Sequence, residues 1–213
     1  SQGGLLDVIA DKGFAQNRTV FFCYAERTGG GGRTAVARAK LNDGAGRLDD
    51  TRVIFRQEGP LSSGNHYGCR IAQGADGNLF VTLGDHYSAR DEAQSLANHI
   101  GKVIRIAPDG TAPSDNPFVG RDGAKPEIWS LGHRNQQGLE INPANGEVWE
   151  FEHGPRGGDE LNFIVKGRNY GWPVIGFGVD YSGTKIHEAT TKDGMEQPAK
   201  YWVPSISPSG ATF

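Results

Sequence analysis

The chain has 213 residues, with 22 Lys and Arg against 25 Asp and Glu, and a formal net charge of −3 at pH 7. This near-neutral balance argues against a dedicated nucleic-acid or membrane-surface protein, because no basic run is present to neutralise phosphates. No stretch approaches the ~18 consecutive apolar residues of a membrane-spanning helix. The 32 glycines and 11 prolines are typical of many short strands joined by tight turns.

The first predicted unit spans residues 4–26 and consists of two apolar runs separated by a long turn. The glycine-rich stretch at residues 29–33 is interpreted as a loop between strands. The second unit, residues 68–86, is an apolar run, an Asp-Gly turn at Gly77 and another apolar run. A strand, a turn of this type and a second strand form the strongest short-range signal for a β-hairpin.

A short helix is predicted within residues 89–100, and the strand-like run "KVIRIAP" follows it. The third unit, residues 137–155, repeats the pattern of the second around an Asn-Gly turn at Gly146. Residues 206–213 resemble the start of a further unit. Hairpins recurring along a chain predict the blades of a propeller or another radial β array.

About three units cannot close into a ring, so we expect residues 1–213 to be a single domain that belongs to a longer protein. Cys23 and Cys69 lie far apart and show no CxxC spacing. We interpret them as two buried thiols, with a disulfide between them as the alternative.

Polar residues gather where the strands of these units begin or end. They are Asn65, His66, Asp85 and His86 around the second unit, and His133, Arg134, Asn135, Glu152, His153, Asp159 and Glu160 around the third. In a radial array, equivalent strand ends point towards the same end of the molecule. The sequence therefore predicts that these clusters converge at one mouth.

Each cluster has a functional interpretation and a plain one. His66 could be a general base near neutral pH, or a histidine that only hydrogen-bonds a turn. Arg134 with Asn135 could hold an anionic or carbonyl oxygen, or cap a blade edge. The run "EHGPRGGDELN" offers oxygen ligands that suit calcium rather than zinc. The GxSxG, GxGxxG and GxxxxGK[ST] motifs are absent, which argues against serine hydrolases, Rossmann enzymes and P-loop proteins.

Six blocks of sequence are familiar in their order and spacing: "QGGLLDV", "LSSGNHYGCRI", "GKVIRI" followed by "DNPF", "EIWSLGHRNQQGL", "EHGPRGGDELN" and "GRNYGWPV". With these blocks the chain resembles, from Gln2 to its end, the soluble pyrroloquinoline quinone (PQQ)-dependent aldose sugar dehydrogenases of the glucose/sorbosone dehydrogenase family. The resemblance implies an all-β, six-bladed β-propeller of which this chain is a partial set of blades, and an enzyme that oxidises an aldose to its lactone.

The resemblance also implies roles for individual residues. His66 would be the general base that takes the hydroxyl proton at the anomeric carbon, with hydride passing to quinone carbon C5. Arg134 would stabilise charge on the quinone oxygen. Gln2, Asn135 and Tyr181 would contact the cofactor together with Arg134.

Two calcium ions are implied as well. The carbonyls of Gly154 and Pro155 would bind the ion beside the quinone, and Glu160 with the backbone of Tyr170 would bind a second, structural ion. The family's later basic residues, which clamp the cofactor, would lie beyond Phe213, so we expect these 213 residues alone to bind PQQ poorly. The whole protein would be periplasmic or secreted and would pass electrons to an external acceptor.

Two other function classes remain open at this point. The first is a non-catalytic binding propeller on the same scaffold, since a fold does not settle a function. The second is a calcium-dependent, lactonase-type hydrolase that needs no quinone. A binding module has no need of a base beside an oxyanion holder, so the presence of both His66 and Arg134 favours an enzyme.

Overall fold

The computed structural model of the chain describes residues 2–213. Within that range the strands form three four-stranded antiparallel sheets, which we call blades 1, 2 and 3. In each blade, strands that are neighbours in sequence are neighbours in the sheet. Among the described residues, the helices are all too short or too polar to cross a membrane.

Blade 1 contains β1 (Leu5–Ala10), β2 (Thr19–Thr28), β3 (Gly31–Asn42) and β4 (Arg47–Arg56). The long turn predicted between the first two runs contains a short helix, α1 (Phe14–Asn17). The loop predicted over residues 29–33 is shorter in the structure, because β2 and β3 already pair at Thr28 and Gly31. Gly29 and Gly30 form the turn, and the rest of the stretch belongs to β3.

Blade 2 contains β5 (Gly68–Gln73), β6 (Leu79–Leu83), β7 (Lys102–Ile106) and β8 (Ile128–Leu131). Blade 3 contains β9 (Gln136–Ile141), β10 (Val148–Glu152), β11 (Asp159–Ile164) and β12 (Lys200–Trp202). The predicted hairpins are β5–β6 and β9–β10, with Gly77 and Gly146 in their turns at φ of 82° and 77°. Glycine adopts this left-handed conformation without steric cost, so both hairpin predictions are confirmed.

The predicted short helix is a 3₁₀ helix, Arg90–Gln94, in the loop between β6 and β7. The buried ammonium of Lys102 holds this loop by donating to the carbonyls of Glu92 at 3.2 Å, of Ala93 at 2.9 Å and of Ile100. Burial lowers the pKa of Lys102 to about 7. The helix is thereby attached to the start of β7.

Blade 2 is buried on both faces. Along β6, Leu79, Val81 and Leu83 pack against blade 1, whereas Phe80 packs against blade 3, as the alternation of side chains in a strand requires. Every residue of β6 and β7 is buried, while Leu5 of β1 is 70% exposed. Three four-stranded antiparallel sheets stacked face to face are the arrangement expected of propeller blades. The prediction of an all-β propeller, present in part, is confirmed.

Cys23 and Cys69 form a disulfide, so their interpretation as two free thiols was wrong. Both are fully buried in the core between blades 1 and 2, with their Cα atoms 6.5 Å apart. A separation of 46 positions gave no sign of the pairing in the sequence. The packing of β2 against β5 brings the two thiols together, and the cross-link joins the two blades covalently.

Candidate active site

The polar clusters that were predicted to converge meet at one end of blades 2 and 3. His66 precedes β5, Asp85 follows β6, Arg134 precedes β9 and His153 follows β10. In antiparallel neighbours, the start of one strand lies beside the end of the next. Two backbone hydrogen bonds connect the clusters: Asp85 N–H donates to the Arg134 carbonyl at 2.8 Å, and His153 N–H donates to the Asn135 carbonyl at 3.1 Å.

His66 is fixed through both its backbone and its ring. Its N–H donates to Gln2 Oε1 at 2.8 Å, and its Nδ1 lies 2.7 Å from Asp85 Oδ1. An ionised carboxylate only accepts hydrogen bonds, so Nδ1 carries the hydrogen and Nε2 keeps a lone pair. Asp85, which is 1% exposed, also accepts from Tyr87 N–H and from the indole Nε1–H of Trp172, each at 2.8 Å. The ring is therefore oriented with one nitrogen able to accept a proton.

Arg134 is buried and anchored on one side. Its Nη1 donates to the carbonyls of His153 and Gly154, both at 2.8 Å, and its backbone N–H donates to the carboxylate of Glu152. The ring centroid of Trp172 lies 5.3 Å from its Cζ. Within residues 2–213, its Nε has no hydrogen-bond partner. A guanidinium anchored in this way suits an anionic or carbonyl oxygen of a ligand.

Two adjoining cavities of about 310 and 430 Å³ open between these residues. Both are lined by His66, Arg134, Pro155 and Tyr181, and the larger one also by Gln2, Asn135 and Gly154. The structure thus brings the predicted base, the predicted cofactor contacts and the first pair of predicted calcium ligands to one space.

Two of these residues differ in how tightly they are held. Tyr181 is 58% exposed at the rim. Asn135 is buried, and its Oδ1 accepts from Gly68 N–H at 3.3 Å and from Gln137 Nε2 at 3.0 Å. Asn135 therefore also connects the start of β5 to β9. The sequence analysis did not predict this structural role.

A buried group of carboxylates lies next to Arg134, and the sequence analysis identified only part of it. Glu150 and Glu152 of β10 pair in the ladder with Asn162 and Glu160 of β11. The Nδ2 of Asn162 lies 3.2, 3.2 and 3.4 Å from the carboxylates of Glu150, Glu152 and Glu160. His133 Nδ1 is 3.5 Å from Glu152. The alternation Glu-Phe-Glu was the available signal, because it places two acidic residues on one face of a strand.

This group is short of hydrogen-bond donors. Burial raises the pKa of Glu150 and of Glu160 well above the usual carboxyl range, and the adjacent Glu152 raises both further. In the described part of the chain, His133 Nδ1, Glu150 Oε1 and Asn162 Oδ1 have no hydrogen-bond partner. The ligand atoms of His133, Glu150 and Glu152 lie within 4.8 Å of one another. Closely spaced, buried oxygen atoms are the usual surroundings of a hard cation.

Glu160 and Tyr170 adjoin this group and line a small pocket of about 20 Å³. The ring of Tyr170 stacks on His133 with centroids 4.7 Å apart. Its hydroxyl donates to the Phe163 carbonyl and accepts from Val165 N–H. The phenol is therefore used within the fold, and the backbone carbonyl is the group that Tyr170 could offer a metal.

Asp159 shapes the loop that carries Gly154 and Pro155. Its Oδ1 accepts from Gly154 N–H at 2.8 Å, and its Oδ2 accepts from Ser205 Oγ at 2.6 Å and from the next two backbone N–H groups. Burial alone would raise the pKa of Asp159, but these hydrogen bonds lower it below its usual value. One carboxylate thus positions two walls of the larger cavity.

His86 has a structural role beside the site. It is fully buried, its Nε2 lies 2.7 Å from Gln57 Oε1, and burial lowers its pKa from 6.5 to about 4. In the unfolded chain His86 therefore binds a proton below pH 6.5, whereas in the folded chain it binds one only below about pH 4. We expect the free energy of unfolding to fall by about 3 kcal/mol as the pH is lowered from 6.5 to about 4. Denaturant titrations should show the fall, and a His86→Gln variant should show a flatter dependence on pH; equal slopes would contradict the assignment.

Comparison with known proteins places this geometry in a family. A family model described as "Glucose / Sorbosone dehydrogenase" matches residues 1–213. The chain is 46% identical over 216 residues to the aldose sugar dehydrogenase YliI of Escherichia coli, and this alignment covers 100% of the chain and 58% of that relative. The chain therefore spans little more than half of that protein's length.

Solved structures of the same family superpose well on this chain. The apo form of the soluble aldose sugar dehydrogenase from Escherichia coli superposes with a TM-score of 0.91 at 44% identity, over 95% of this chain and 59% of that one. The PQQ-bound aldose sugar dehydrogenase from Streptomyces coelicolor superposes with a TM-score of 0.79 at 28% identity, over 99% of this chain and 57% of that one. The chain belongs to the glucose/sorbosone dehydrogenase family.

Proposed function

We propose that the whole protein containing this chain is a PQQ-dependent dehydrogenase that oxidises aldoses at the anomeric carbon to the lactone. The observation that carries the proposal is the pairing of His66 with Asp85 on a cavity that Arg134 also lines. A family relative is described as bound to PQQ, which supports the same cofactor here. Residues 1–213 would form part of its single catalytic domain.

The residues around the cavities fit the cofactor in their chemistry. PQQ, when bound, would supply the two-electron oxidant that no side chain provides. Arg134 lines both cavities, and its guanidinium matches a quinone or carboxylate oxygen. Gln2, Asn135 and Tyr181 line the same space and would complete the binding surface.

His66 would act as the general base. Its Nδ1–H is directed to Asp85, so Nε2 is the atom that accepts the proton of the anomeric hydroxyl. The carboxylate also stabilises the imidazolium that this transfer creates. Arg134, which lines both cavities, would place a fixed positive charge beside the bound cofactor, where negative charge is stabilised.

Calcium fits two places. Gly154 and Pro155 line the larger cavity, and their carbonyls would hold an ion beside the cofactor. The Gly154 carbonyl also accepts a hydrogen bond from Arg134. Glu160 and the Tyr170 carbonyl would hold the second ion next to Glu150 and Glu152, where a divalent charge would relieve the crowding of carboxylates.

The disulfide supports an oxidising location, because such bonds are rare in reducing cytosol. We therefore propose a periplasmic or secreted protein with a small-molecule aldose as substrate and an external electron acceptor as partner.

The test is aldose-dependent dye reduction by the whole protein with PQQ and calcium added separately and together. Activity should require both additions. An Arg134→Met variant should lose about 10²-fold in kcat, because one preorganised donor to the developing charge is gone.

The matched control is Arg121→Met, which removes an exposed arginine that lies over Phe118, outside the cavities, and should retain activity. A folded protein that binds no quinone would favour a binding propeller instead. Hydrolysis of lactones without added PQQ would favour the calcium-dependent hydrolase.

A further inference from the structure

We propose that Trp172 is a positioning residue that holds the catalytic pair His66–Asp85 and the Arg134 guanidinium in one arrangement. The inference rests on the proposed function for its kinetic meaning, but the hydrogen bond at its centre can be tested without turnover. Trp172 lies 87 positions from Asp85 in the chain, and the two meet only through the packing of blades 2 and 3.

The first contact orients the carboxylate. Asp85 Oδ1 receives His66 Nδ1–H and Tyr87 N–H, while Oδ2 receives the indole Nε1–H of Trp172 at 2.8 Å. Bonds to both oxygen atoms fix the plane of the carboxylate, and that plane sets the direction of the imidazole. With the indole N–H removed, Oδ2 would be buried without this donor, and the carboxylate would be held only through Oδ1.

The second contact involves the other functional residue. The ring of Trp172 lies 5.3 Å from Arg134 Cζ, within the range of a cation–π interaction. Trp172 also lines the smaller cavity together with His66 and Arg134. One side chain therefore touches the partner of the base and the guanidinium that offsets charge.

The indole is itself held firmly. The backbone N–H of Trp172 donates to Gly132 O at 2.9 Å, and its carbonyl accepts from Gln94 Nε2 at 2.7 Å. The ring of His187 packs edge-on against it, with centroids 5.4 Å apart. A side chain anchored at backbone and ring can transmit orientation to Asp85 rather than follow it.

The expected sign follows from the hydrogen bond. The indole donor draws charge on Asp85 away from His66, so its loss leaves more negative charge facing the imidazole and favours the imidazolium. The titratable or charged groups around His66 include Asp85, Tyr87, His86 and Arg134. Four more line the cavity that His66 shares with Trp172: Arg90, Asp91, Asp180 and Tyr181. All of them are retained when only the indole N–H is removed.

The experiment compares Trp172→Phe with the unmutated whole protein by NMR of the ¹⁵N-labelled imidazole of His66 across pH. We expect the titration midpoint to move upward by about half a pH unit or more. In the loaded enzyme, kcat/KM should fall by about tenfold and the acid limb of its pH profile should move in the same direction. Trp129→Phe is the matched control, since the Trp129 indole N–H has no partner in the described residues and its loss should move neither.

A double-mutant cycle tests whether Trp172 acts on His66 through Asp85. If Trp172 acts through Asp85, then Trp172→Phe should have little further effect in an Asp85→Asn background. Fully additive effects, or an unchanged His66 midpoint, would overturn the proposal. Should Trp172→Phe fold poorly, the indole N–H resonance of Trp172 can be followed in the unmutated protein and in Asp85→Asn, and an identical resonance in both would overturn it too. Absence of PQQ-dependent oxidation in the unmutated protein would refute the proposed function alone.

Discussion

Replacing His66 with glutamine in the whole protein is expected to lower kcat for aldose oxidation by about 10³-fold. Glutamine can still donate a hydrogen bond to Asp85, but it has no nitrogen that accepts a proton near neutral pH. Sugar binding should change little, because the lost interaction belongs to proton transfer. Steady-state kinetics with PQQ and calcium at saturation measure the effect, and the acid limb of the pH profile should disappear with the imidazole.

His99→Gln is the matched control for this experiment. His99 is buried and hydrogen-bonded to Glu127 and the backbone of Glu58, but it lines neither cavity. Its replacement should leave kcat within a small factor at temperatures where the variant is folded. Near-normal turnover by His66→Gln would mean that the proton goes to another group, and the assignment of the base would be wrong.

Removing the disulfide is expected to give the largest loss of stability. A double Cys23→Ala, Cys69→Ala variant frees a loop with a sequence separation of 46, for which chain entropy predicts a loss of about 4 kcal/mol. Denaturant unfolding of the whole protein with and without reductant gives the measurement. Each single variant should lose nearly as much as the double variant, because either change abolishes the cross-link.

Thiol counting provides the independent check on this prediction. Unfolded protein prepared without reductant should show no reactive thiol from Cys23 or Cys69. Two reactive thiols per chain, or unfolding curves unaffected by reductant, would mean that the pair contributes only as small buried side chains.

The repeated hairpins could be predicted from the sequence because their signals are local. Gly77 and Gly146 lie in turns between apolar runs, and the alternation along β5–β6 and β9–β10 is visible at a distance of a few residues. Strand β12 could not be predicted in the same way. Strand β12 pairs with β11 only after the chain has passed through residues 165–199. Its three residues carry no local sequence pattern that predicts this pairing.

In the candidate site, too, only the features with a local sequence signal could be predicted. His66 and Arg134 stand in short polar runs at strand ends, so their convergence followed from the radial arrangement of hairpins. The contact of Trp172 with Asp85 and the joining of Cys23 to Cys69 depend on how whole blades pack. Residues so far apart in the chain share no period or spacing, and their pairing becomes visible only in three dimensions.

The burial of blade 2 on both faces has a consequence for hydrogen exchange. Strands β6 and β7 have no solvent-facing side, so their amide hydrogens cannot exchange through fraying of that blade alone. Exchange there must wait until a neighbouring blade separates, so we expect these two strands to take up deuterium slowly. The loop with Asp85 and the segment with His66 adjoin these strands. The pair His66–Asp85 is thus attached to strands that open only together with a neighbouring blade.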